Sequence, residues 1–404
     1  MNLETQTVCR SDVSLLELRV QVRNIKCVLQ SISVVPDPFL WQHPSTIALR
    51  ASVVLMLIRT LMARDRVVLS SLCSKAVTAG TAQGQSPPAL ELTSRITLLN
   101  VTGRLDHFGV DIKGQRLFVA AFDNHTVEVI DLQAGQRVRT LSDFGNPQGA
   151  FYDPSTNQLF ISSSIDGTVK IIDGTTFRLL STVKFSTDTD NLRYDDHSKS
   201  VVVGYGGEKF LRGQAVRGHG DGALAFLDLT GKKTTEIALD ADPESFQLEQ
   251  SGTRVFVNVP DRREVEVADV LRRTVQTRWP IATCTDNFPM SLDEAHHRLF
   301  VGCRTPSRML VFDTETAKIV ATLPIVDHTD DLFYDASKGR IYVLGEGSIE
   351  AWQQKDPDHY DEIGRFSTPP RGHTGLFLPA YGKLFEAVSR QGTHDTQFLV
   401  YETK

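Results

Sequence analysis

The sequence predicts an all-β fold: a seven-bladed β-propeller of four-stranded antiparallel blades, its ring closed by an N-terminal strand that completes the last blade. Three observations carry the prediction. Seven runs of alternating apolar residues recur at a near-constant step. Each run sits in a unit with room for four short strands. The C-terminal unit lacks its last strand, while an unused strand-like stretch precedes the first unit. A repeat of this length built from short strands is the signature of propeller blades.

The runs are QRLFVAA, NQLFISS, KSVVVGY, TRVFVNV, HRLFVGC, GRIYVLG and GKLFEAV. Their first apolar residues are Leu117, Leu159, Val201, Val255, Leu299, Ile341 and Leu384, giving steps of 42, 42, 54, 44, 42 and 43 residues. Within each unit an inner strand ends at a turn such as Asp153-Pro154, and the LFV-type strand follows. A third strand then ends in aspartate in five units, at Asp131, Asp173, Asp228, Asp269 and Asp313. Aspartate suits that position because its carboxylate accepts backbone N–H groups two residues on, so these five are read as turn residues. The last unit stops at FLVYETK, its third strand, and residues 90–99, LELTSRITLL, have the alternation needed to supply the fourth. Such pairing removes exposed sheet edges.

Composition bounds the function classes. The chain has 404 residues, 41% hydrophobic and 23% charged, with net charge −6. These values exclude a wholly disordered, collagenous or multi-span membrane chain. The acidic balance also argues against a nucleic-acid binder, which needs clustered Lys and Arg. The cysteines are Cys9, Cys27, Cys73, Cys284 and Cys303, and no C-x-x-C supports a zinc ribbon or a thioredoxin-like redox site. Cys284 precedes the inner strand of the fifth unit and Cys303 ends the adjacent antiparallel strand, where either a disulfide in an exported chain or a reduced buried pair fits.

Residues 1–84 share no pattern with the repeats. The apolar run ASVVLMLI at 51–58 is too short to span a bilayer. Basic residues around Arg64 and Arg66, the stretch VVLSSLCSKAVTAG and the exit QGQSPP are the parts of a degenerate secretory signal, far from Met1. The expectation is an extension largely disordered or removed, then a propeller over residues 85–404. A poorly ordered cytoplasmic extension is the alternative.

The stretches FVAAFDNHTVEVID, FISSSIDGTVKIID and FVGCRTPSRMLVFD resemble the bacterial YncE-like propellers with YVTN-type repeats, over about residues 90–404. PESFQLE, NFPMSLDE and HTDDLFYD further resemble an exported subgroup of that family. The resemblance implies a propeller and a periplasmic or secreted location. It also implies a module that binds a small molecule or protein; a monomer is expected. It allows single-stranded nucleic acid as a partner, which the net charge opposes.

Function is sought where the inner strands begin, because loops on a rigid scaffold carry most sites. Eleven residues before each repeat anchor stand Asp106, Gln148, Asp190, Glu244, Phe288, Asp330 and His373. In the fifth unit Asp286 and Asn287 are expected to play the acidic role through a bulge. The ligand-binding set expected at this acidic channel mouth is Asp106, Asp190, Asn191, Glu244, Asn287, Asp331, Arg304 and Arg217. Asp106, Asp190, Asp286 and Asp330 are the candidate metal ligands for calcium, magnesium or zinc. His107 and His373 are the candidate acid or base should the site be a metal-dependent lactonase or lyase. The plainer alternative is that these aspartates and asparagines serve loop N–H groups. The long third step reflects an insertion at 205–222, YGGEKFLRGQAVRGHGDG, either a cationic flap carrying Lys209, Arg212, Arg217 and His219 or a tolerated surface loop.

Overall fold

In each repeat the LFV-type strand is almost wholly buried. Leu117, Leu159, Val201, Val255, Leu299, Ile341 and Leu384 all have no solvent exposure. Apolar residues on both faces of this strand pack between neighbouring blades, which is why the run reads as nearly continuous rather than strictly alternating. The computed structural model describes residues 88–207 and 222–404, together with the backbone of two short strands, Lys209–Leu211 and Gln214–Val216. The expected N-terminal extension, and Arg212, Arg217 and His219 of the insertion, lie outside the described residues.

The described strands form seven four-stranded antiparallel sheets, one per repeat, arranged in a ring. The first blade runs Phe108–Asp111, Arg116–Ala121, Thr126–Asp131 and Gln136–Leu141 from the inner strand outward. The third pairs Thr189–Asp195, Ser200–Tyr205, Gly222–Leu227 and Lys233–Leu239. Its insertion adds the small hairpin of Lys209–Leu211 with Gln214–Val216. That insertion leaves the blade at Gly207, where φ is +79° and a Cβ would stand 2.3 Å from Asp242 Cα, so only glycine fits.

Ring closure follows the sequence pattern. Leu90–Leu98 pairs antiparallel with Thr396–Thr403, from Leu90 opposite Thr403 to Leu98 opposite Thr396, with a bulge between Leu92 and Ser94. The last blade thus takes its outer strand from one end of the propeller and three strands from the other. Leu90, Ile96 and Leu98 are buried.

The five third-strand aspartates hold turns, as their position predicts. Asp131 Oδ1 accepts N–H from Gln133 at 2.9 Å and Ala134 at 2.8 Å. Asp313 Oδ1 accepts from Glu315 at 3.1 Å and Thr316 at 2.8 Å, and Asp173, Asp228 and Asp269 act alike. Cys284 and Cys303 are joined in a disulfide, their Cα atoms 6.1 Å apart. Among the described residues no helix is long and apolar enough to cross a membrane.

Candidate functional site

The inner strands begin around one cavity of about 460 Å³. Six of the seven positions eleven residues before the repeat anchors line it: Asp106, Gln148, Asp190, Glu244, Phe288 and Asp330. The repeat delivers them together because each stands at, or just before, the start of its inner strand. Asp106 N donates to Ala120 O at 2.8 Å, Glu244 N to Asn258 O at 3.0 Å and Asp330 N to Leu344 O at 3.4 Å. The seventh, His373, reaches the same place through Asp330, its Nδ1 lying 2.9 Å from Asp330 Oδ2.

The first, third and fourth blades make the acidic side. His107 Nε2 lies 3.5 Å from Asp106 Oδ1 and 3.9 Å from Asp190 Oδ1. The other oxygen of each carboxylate is held by a neighbour. Asp106 Oδ2 meets Arg104 Nη2 at 2.9 Å, and Asp190 Oδ2 accepts Asn191 Nδ2 at 3.4 Å. Asp190 is placed from behind by Gly149 and Ser162. The Ser162 hydroxyl accepts Gly149 N–H at 2.7 Å and donates to the Asp190 carbonyl. A Cβ on Gly149 would stand 2.5 Å from that carbonyl oxygen.

Burial pushes the Asp190 carboxyl well above its ordinary range, and repulsion from Glu244, Asp106 and Asp188 adds to it. Burial likewise lowers His107, against the pull of Asp106, so the imidazole is held toward its neutral form. Asp331 is also pushed well up by burial, although its Oδ2 accepts Gly375 N–H at 2.7 Å.

The opposite side carries compensated charge. Burial would raise Asp330, but the His373 hydrogen bond and the Arg304 and Arg104 guanidinium groups overcome it and hold the carboxylate well below its usual range. Arg304 Nη2 bonds Asp330 Oδ1 directly and its Nε donates to Thr329 O at 2.9 Å. Each cavity arginine also lies over a phenylalanine, Arg104 3.9 Å from the Phe122 ring centroid and Arg304 4.0 Å from that of Phe288. These arginines are therefore already engaged.

No protein-family model matches this chain, and no curated protein matches it. The site must be read from its own residues.

The remaining sequence-stated residues separate by placement. The bulge expected in the fifth blade is present, with the register shifting between Asn287 and Met290, but it turns Phe288 rather than Asp286 to the cavity. Asp286 has φ of +59° and its Oδ2 accepts the Thr285 hydroxyl at 2.8 Å. Asn287 has no exposure and bridges blades, its Nδ2 donating to Asn258 Oδ1 and Glu264 O, both at 3.0 Å. Asn191 and Asp331 sit one residue behind the lining, supporting Asp190 and the Gly375 backbone. Arg217 lies outside the described residues.

Several lining residues escaped the sequence reading: Arg104, Asp188 and Asp242 two residues before the ring positions, and Phe122 and Ser164 on loops after the second strands. A signal for Asp188 existed. At this offset Asn146, Asp188, Asp286, His328 and Arg371 all have positive φ, a backbone state that Asn, Asp and His tolerate best. Nothing comparable marks Phe122, whose role depends on Arg104 lying over it.

Proposed function

We propose that this protein is a non-catalytic binding module of the YncE-like, exported kind, whose acidic cavity takes a small positively charged ligand. One observation carries the reading: six lining carboxylates, Asp106, Asp188, Asp190, Asp242, Glu244 and Asp330, face two guanidinium groups. A bound cation offsets the repulsion that adds to burial in raising Asp190, and the cavity's size suits a small molecule rather than a chain. The same charge opposes a nucleic-acid ligand. The Cys284–Cys303 disulfide supports export, because such bonds persist in oxidising compartments.

Isothermal titration of the full-length protein with 1,4-diaminobutane, and with succinate as its anionic counterpart, tests the reading. Saturable diamine binding is expected, weakening with added salt and at least tenfold in Asp190→Asn, with no succinate binding. Succinate binding without diamine binding contradicts it. A metal-dependent lactonase or lyase is the second reading, favoured by the neutral His107 between two carboxylates. His107 or His373 would serve as acid or base. Chelator-sensitive turnover of a lactone, lost in His107→Ala, separates this reading from pure binding.

A further inference from the structure

We propose that Asp106, His107 and Asp190 form a binding site for a divalent transition cation, with Asp106 Oδ1, His107 Nε2 and Asp190 Oδ1 as the protein donors. The inference rests on reading this cavity as a site for positive charge and narrows the ligand to a metal of the zinc or manganese class.

Three features of the geometry support it. One donor atom from each residue lies within 4.8 Å of the others, and the two measured separations to His107 Nε2 are 3.5 and 3.9 Å. Donors bound ~2.0–2.2 Å from one ion stand about 3–3.5 Å apart, so a small inward movement closes the set. Next, both carboxylates are oriented. Arg104 holds the outer oxygen of Asp106 and Asn191 that of Asp190, while the inner oxygens lie toward the imidazole, Asp106 Oδ1 also accepting the His107 backbone N–H at 3.0 Å. Outer contacts of this kind fix ligand direction at metal centres. Finally, the three donors face a cavity of about 460 Å³ also lined by Asp188 and Glu244, leaving room for water or a further ligand on the ion. One imidazole with two carboxylates selects a borderline cation over calcium, which prefers oxygen alone.

A second carboxylate cluster, Asp240, Glu264 and Glu266, makes an internal control. There Arg278 takes both Asp240 oxygens, its Nε and Nη2 bonding them at 2.6 and 2.9 Å, whereas Arg104 takes only one oxygen of Asp106.

The test uses the full-length protein after chelator treatment, with Zn²⁺ and Mn²⁺ as separate titrants. One ion per chain is expected. His107→Ala, His107→Gln and Asp190→Asn each weaken binding at least tenfold, while Asp240→Asn leaves it unchanged. Co²⁺ serves as a spectroscopic probe, its visible absorption changing in His107→Gln if the ring nitrogen is a ligand. Thermal unfolding of the metal-free variants beside the metal-free parent distinguishes lost ligation from lost folding. The inference is overturned if neither ion binds saturably, or if binding survives His107→Gln and disappears in Asp240→Asn. If the ions fail while 1,4-diaminobutane still binds in a manner sensitive to Asp190→Asn, the metal assignment falls and the cation-binding reading stands. If neither kind of cation binds, both fall.

Discussion

Glu386 shows how one buried side chain ties this fold to pH. It has no solvent exposure, and burial pushes its carboxyl up to about 8. A carboxyl raised in the folded state is neutral there while its unfolded counterpart is already ionised. Its contribution to stability is complete below the unfolded value of ~4.3 and is lost as pH rises through the folded value. Between pH 5 and pH 8.5 the parent should therefore lose a few kcal/mol that Glu386→Gln retains, since the amide keeps the shape without the charge. Melting temperatures at those two pH values check this. Parallel pH slopes for parent and variant would show that Glu386 does not couple in this way.

At the scale of elements, the strand Leu90–Leu98 does what no strand inside a repeat must do, joining two distant parts of the chain. Its outer positions are exposed, and stability rests on a few inward side chains, chiefly Leu98 with no exposure and Ile96 at 4%. Leu98→Ala removes a well-packed side chain from the contact between the last and first blades and should cost about 2–4 kcal/mol by denaturant unfolding. Thr93→Ala, on the same strand but half-exposed to solvent at its edge, should cost about 1 kcal/mol, the value of its hydrogen bond to Val400 O at 3.0 Å. Equal effects of the two changes would mean that the strand is held by backbone pairing alone.

Across the whole molecule, the repeat and the closure were legible because both depend on local periodicity. Every anchor from Leu117 to Leu384 marks a strand buried on both faces, and residues 90–99 could pair with nothing else in the pattern. The ring of cavity residues was legible for the same reason, since a fixed offset along a repeated unit becomes a fixed place around a ring. Legibility ended where contacts depend on local backbone state or on two blades at once. Asn287 read as a ligand but bridges Asn258 and the Glu264 carbonyl. Asp286 read as a metal ligand, yet its left-handed backbone and the adjacent bulge place Phe288 at the cavity in its stead. Arg304 read as a ligand contact, whereas Asp330 and Phe288 already engage it. Anomalous diffraction from crystals of the full-length protein soaked in Mn²⁺ decides whether Asp106, His107 and Asp190 hold a divalent cation. A divalent site there gives an anomalous peak ~2.1–2.2 Å from Asp106, His107 and Asp190. An empty cavity beside a peak at Asp240, Glu264 and Glu266 would contradict it.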